Sequence, residues 1–172
     1  MTLTIQQIDA MDRESFVTQL GGIYEHSPWV AERALQARPF RSRDALHAAM
    51  QSAVVAASHE EQLALIRAHP ELAGRIAVDG ALTEASRSEQ AGAGLDRCTP
   101  EEFARLQALN SAYREKFDFP FIVAVRGLTR AHVIAQMGQR LAHSAEQEFG
   151  ACLQQIERIA RFRLHDLIGN PE

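Results

Sequence analysis

The chain has 172 residues, 46% of them hydrophobic, and a formal net charge of -4 at pH 7. That is enough apolar material to bury the core of one globular domain and too much for a disordered chain. Its 18 Lys and Arg residues are scattered among 22 acids rather than gathered into a stripe, which argues against a nucleic-acid surface and leaves acidic small molecules open as ligands.

The opening stretch MTLTIQQIDAMDRESF carries acids early and lacks a basic region followed by an apolar run, and no apolar stretch is long enough to span a bilayer. The closing LIGNPE is neither a peroxisomal nor a retention address. The expectation is a cytoplasmic protein with no membrane partner. Cys98 and Cys152 lie far apart and outside any C-x-x-C pattern, which suggests neither a disulfide framework nor a thiolate metal site and fits a reducing compartment.

In chain order, helix starts recur with Ser, Thr or Asp ahead of apolar residues at 3.6-residue spacing. Ser27 and Pro28 open PWVAERALQA, and RSRDALHAAMQSAVVAA follows. Ser58, with Glu61 three residues on, forms a capping box for HEEQLALIRA. That helix runs into His69-Pro70, and proline both disfavours helical geometry in the residue before it and lacks an N–H. TEASRSEQA is a short helix opened by Thr83, set in the loosest, glycine-bearing region, residues 77–99. Thr99, Pro100 and Glu102 open EEFARLQALNSAYREKF. Thr129 caps RAHVIAQMGQRLAH, and Ser144 with Gln147 starts the long AEQEFGACLQQIERIARFRLHDLI. The class is all-α: a single compact domain over residues 1–172, of about eight helices. One segment departs from it. DFPFIVAVRG, residues 118–127, has an early proline, a β-branched and aromatic run and a glycine stop, so it reads as a buried extended piece between helices. Its buried backbone groups need partners other than a ladder. It either lines a pocket or merely crosses the core.

Three features carry possible chemistry. His69 stands at a corner where a ring can face a cavity, or is an ordinary histidine at a helix end. Ser86, Glu89 and Gln90 share one helix face, either solvated or turned toward a ligand. Arg163 falls on or beside the apolar stripe that includes Ile156, Ile159 and Leu167. Either its stem covers apolar surface while the head reaches water or an acid, or its fork of donors is aimed at a carboxylate or planar ureido ligand in an interior pocket. A histidine near a carboxylate, with an arginine for a planar anion, makes a workable acid–base site. The seven histidines show no H-E-x-x-H spacing, no serine sits in a nucleophile elbow, and the glycines of AGAGLD follow no predicted strand.

HPELAG, SRSEQAGAGLD, LNSAYREKFDFPFIVAVRG and IARFRLHDL, in that order, resemble the motifs of the 2-oxo-4-hydroxy-4-carboxy-5-ureidoimidazoline (OHCU) decarboxylase family of urate degradation. The resemblance covers most of the chain and implies an all-α fold, no cofactor and no metal, OHCU as the small-molecule substrate, and a homodimer. It places the family's catalytic histidine on His69, with Pro70 shaping the corner, and the acid and amide of its S-x-x-E-Q motif on Glu89 and Gln90, preceded by Ser86. The substrate-lining segment falls on Phe121, Ile122 and Val123, and the ligand-binding arginine on Arg163. Asp118 stands where the family usually has the glycine of K-F-G-F. Two other expectations remain beside this one: an all-α protein-interaction module without chemistry, and a cofactor-free enzyme acting on another ureido or imidazoline compound.

Overall fold

The computed structural model describes residues 2–73 and 82–169. The expected loop before Thr83 falls largely in 74–81, outside the described residues. Among the described residues there are nine α-helices, two 3-10 turns and no strand beyond an isolated parallel bridge between Leu3 and Ile168. The chain divides into two compact units, Met1–Ala68 with Glu157–Glu172, and His69–Ile156.

The first unit holds α1 (Ile5–Ala10), α2 (Arg13–Leu20), α3 (Trp29–Ala34), α4 (Arg43–Val55) and α5 (His59–Arg67). Thr4 with Gln7 and Ser58 with Glu61 make capping boxes, while Asp12 and Ser42 accept from Ser15 and Ala45 N–H groups. Each cap satisfies an N–H that the first helical turn leaves without a partner. Ser27 does not cap α3: its hydroxyl donates to Glu25 O at 2.8 Å, and Pro28 takes the cap position without a side-chain bond. Arg38 donates to the terminal carbonyls of α1, Met11 O at 2.6 Å and Ile8 O at 3.0 Å, and stacks over Phe16, which packs on Phe40. The first two helices were not marked out by the sequence reading, because their few apolar residues give a weak periodic signal; only Ile8 is buried in α1, and Phe16 and Leu20 in α2.

The second unit holds α6 (Glu84–Gly92), α7 (Pro100–Phe117), α8 (Arg130–Arg140) and the first part of α9 (Ala145–Leu167). Thr83, Thr99, Thr129 and Ser144 cap them as expected. Gly94 ends α6 with φ 76°, a left-handed turn that favours glycine; Arg130 donates to its carbonyl at 3.2 Å and to Arg97 O at 2.9 Å. The glycines of AGAGLD thus serve a helix end. Asp118 ends α7 with φ 60° and ψ 27°, a left-handed conformation that glycine adopts freely and that aspartate tolerates better than most other residues.

Beyond Asp118 the chain is buried from Phe119 to Val125, in neither helix nor strand and with no strand partner among the described residues. Side chains satisfy part of its backbone. Gln155 Oε1 accepts from Ala124 N–H at 3.0 Å, and Arg140 Nη1 donates to Ile122 O at 2.6 Å. Tyr113, Phe117, Phe119, Phe121 and Phe149 form a connected aromatic cluster around it, with ring centroids 4.6–6.3 Å apart.

Candidate functional site

Helix α5 ends at Arg67, and His69 follows as a bend with Pro70 behind it. The imidazole-bearing residue is 7% exposed, so it is not an ordinary solvated histidine at a helix end. The three residues after Pro70 are each held by side chains of other helices. Ala73 has φ 50°, a left-handed conformation that costs an L-residue about 1–2 kcal/mol. Both of its backbone polar groups are taken by side chains: its N–H donates to Gln90 Oε1 at 3.0 Å, and Gln107 Nε2 donates to its carbonyl at 2.8 Å. Asn110 Nδ2 donates to Leu72 O at 2.9 Å, and Arg114 Nε pairs with Glu71 Oε1 at 2.7 Å.

Burial shows which way the polar face of α6 is turned. Ser86 and Gln90 are buried and Glu89 is half-buried, while Glu84, Arg87 and Ser88 are exposed. The face bearing Ser86, Glu89 and Gln90 is therefore turned into the protein, and Gln90 spends its carbonyl oxygen on Ala73, in the segment that begins at His69. The structure thus ties Gln90 to that segment directly and puts Ser86 and Glu89 on the same helix face.

Phe121, Ile122 and Val123 are all buried. Behind them lies a charged network that the sequence reading did not single out. Glu148 is fully buried; its Oε1 accepts from Tyr113 OH at 2.6 Å and from Arg140 Nε at 2.8 Å, and its Oε2 lies 2.8 Å from His143 Nδ1. The Arg140 guanidinium lies 4.3 Å over the Phe121 ring and reaches Cys152 Sγ at 3.6 Å. Burial, reinforced by Cys152, pushes the Tyr113 hydroxyl up out of its ordinary range. Burial likewise pushes the Cys152 thiol up, against the opposing hydrogen bond from Tyr113. Both groups therefore stay neutral, and the network holds one buried carboxylate against one buried guanidinium. A signal was present in sequence: Arg140 follows Val133 and Met137 at positions i+7 and i+3 on the apolar face of α8, where an unpaired arginine is rare.

Arg163 belongs to the first unit and is 7% exposed. Its Nη1 pairs with Glu25 Oε2 at 2.8 Å and donates to Gly22 O at 3.3 Å and Ile23 O at 3.4 Å. Glu25 is itself 1% exposed. The guanidinium is thus buried with its head on an acid of the protein itself, as the plainer of the two expectations has it. Glu25 sits in a loop with no periodicity to reveal it.

Among the described residues no group of three or more His, Cys, Asp or Glu side chains is arranged to hold a metal ion, and no helix is long and apolar enough to cross a membrane. A family model described as OHCU decarboxylase matches residues 9–165. The 2-oxo-4-hydroxy-4-carboxy-5-ureidoimidazoline decarboxylase of Haloferax volcanii is 47% identical over 162 residues, covering 94% of each chain. That of Halalkalicoccus jeotgali is 42% identical, covering 96% of this chain and 92% of the relative. Among solved structures, an (S)-allantoin synthase superposes with a TM-score of 0.79 at 34% identity over 96% of this chain, which spans 54% of that longer one.

Proposed function

This chain belongs to the OHCU decarboxylase family, and from that premise we propose that it decarboxylates 2-oxo-4-hydroxy-4-carboxy-5-ureidoimidazoline to (S)-allantoin and CO2 in urate breakdown. The observation that carries the reading is the buried His69-Pro70 corner, with the inward face of α6 bound to the segment that follows it, inside a match spanning nearly the whole chain. An acid–base group has to be fixed in place while it faces reacting atoms, and a helix end backed by proline meets both needs.

In the proposed reaction the bond from the ring carbon to the carboxylate breaks and CO2 leaves. The electron pair moves onto the neighbouring C=N unit and its nitrogen takes a proton; a second proton is added to one face of the ureido-bearing carbon as the ring hydroxyl gives up its own and becomes the carbonyl of (S)-allantoin. The balance closes with a net uptake of one proton and needs no oxidant or reductant, and the proposed reaction uses no cofactor. His69 moves a proton, and Glu89 orients the imidazole or binds the ureido group. Ser86, Gln90 and the segment Phe121–Ile122–Val123 hold the ring and its tail, Pro70 fixes the corner, and Arg163 binds an anionic or carbonyl oxygen. The whole chain serves as one helical domain, working as a homodimer in the cytoplasm.

The test is to add the purified protein to urate being converted by urate oxidase and hydroxyisourate hydrolase, and to follow circular dichroism. Rapid appearance of optically active (S)-allantoin supports the assignment. Racemic allantoin formed at the uncatalysed rate, with folded protein present, overturns it.

A further inference from the structure

Gln107, Asn110 and Arg114 stand at i, i+3 and i+7 on α7, one stripe of one helix. They take hold of three consecutive residues in reverse order: Ala73 O, Leu72 O and the Glu71 carboxylate. Gln90 closes the arrangement from α6 by accepting from Ala73 N–H. The gripped segment is the one that leaves His69 through a proline of fixed φ and ends in a left-handed alanine. A non-glycine residue keeps such a conformation only where its surroundings over-determine it, and here both of its peptide groups are claimed by side chains from two helices. Asn110 is 4% exposed, and its Oδ1 has no hydrogen-bond partner among the described residues. Its amide therefore contributes one donated bond, to Leu72 O, from a position inside the apolar stripe of Leu106, Leu109, Tyr113 and Phe117. An apolar residue there would leave no orphan oxygen but would take the donor from Leu72 O, so the bond to Leu72 O is the use the structure makes of an amide at this position.

We propose that Asn110 and Gln107, with Gln90, are positioning residues for His69: they fix the backbone of residues 71–73 and through it the place and orientation of the imidazole. Arg114 is the exposed outer rung, its side chain 57% accessible, and adds little. The proposal rests on the reading of His69 as the acid–base group, and the experiment separates the two.

Asn110→Leu and Gln107→Met remove the donors at nearly constant size; Gln107 is half-buried, so its variant keeps the test open if Asn110→Leu does not fold. In the coupled assay, kcat falls by about 10- to 100-fold, the scale of a small displacement of a catalytic group, while KM stays within about twofold. Independently of turnover, the His69 Cε1–H NMR cross-peak, assigned by its loss in His69→Ala, shifts or splits in both folded variants. Parent-like kcat and a parent-like His69 cross-peak in Gln107→Met overturn the positioning role even if His69→Ala is inactive. Parent activity in His69→Ala refutes the reading of His69 instead, and the cross-peak then decides the positioning claim alone.

Discussion

Replacing Arg140 with methionine keeps much of the side-chain bulk and removes every charged contact the guanidinium makes. Glu148, fully buried, loses the Nε–H donated at 2.8 Å but keeps Tyr113 OH at 2.6 Å and the His143 contact at 2.8 Å. Ile122 O loses its donor at 2.6 Å. Removing one partner of a buried ion pair costs about 3–5 kcal/mol, and a newly orphaned buried carbonyl about 1–3 kcal/mol. These terms share one side chain and do not add, and two partners remain on Glu148, so the expected loss is about 3–4 kcal/mol. That is a large share of the roughly 5–15 kcal/mol that holds a typical domain together. Urea denaturation followed by far-UV circular dichroism measures it. Adding Glu148→Gln to Arg140→Met removes the stranded charge while leaving an acceptor for Tyr113, and should recover about 1–2 kcal/mol. A loss below about 1 kcal/mol, or a double variant no more stable than the single, would refute the claim that Glu148 and Arg140 compensate each other.

Asp118→Gly should leave stability and turnover at the parent level, whereas Asp118→Val, branched in a left-handed position, should lose about 1–2 kcal/mol by the same denaturation measurement. Glu61, paired with Arg33 and capping α5, has its carboxyl held down to about 2, chiefly by the Arg33 guanidinium and then by the Ser58 N–H. A depressed folded value means that its stabilisation is complete above the ordinary value of 4.5 and is lost as pH falls through about 2. The gap in urea midpoint between parent and Glu61→Gln should therefore be present at neutral pH and shrink steadily below the ordinary carboxylate range. Glu25→Gln removes the negative partner of Arg163 but keeps an acceptor; it should cost about 1–3 kcal/mol of stability and raise KM more than it lowers kcat, as the coupled assay at varied substrate would show.

Much of this was legible in the sequence because it depends on local rules. The capping boxes at Ser58 and Thr99, the helix end ahead of His69-Pro70, and the buried non-helical run after Asp118 all follow from neighbours a few residues apart. The inward turn of α6 was not legible. A polar face reads the same whether water or protein covers it, and only the burial of Ser86 and Gln90 settles which. The pairings of Arg140 with Glu148 and of Arg163 with Glu25 join residues that no periodicity relates. The grip of α7 on residues 71–73 was hidden for a related reason. Gln107 and Arg114 look like ordinary polar helix positions, and Asn110 stands out only once its place in the apolar stripe is noticed.

Whether one fixed imidazole carries the chemistry is answered by comparing parent and His69→Ala, both shown to be folded, for stereospecific allantoin formation from freshly generated OHCU. The expected outcome is an optical signal of (S)-allantoin with the parent and only the slow uncatalysed rate, giving racemic product, with His69→Ala. Enantiopure (S)-allantoin formed at the parent rate by His69→Ala would contradict it.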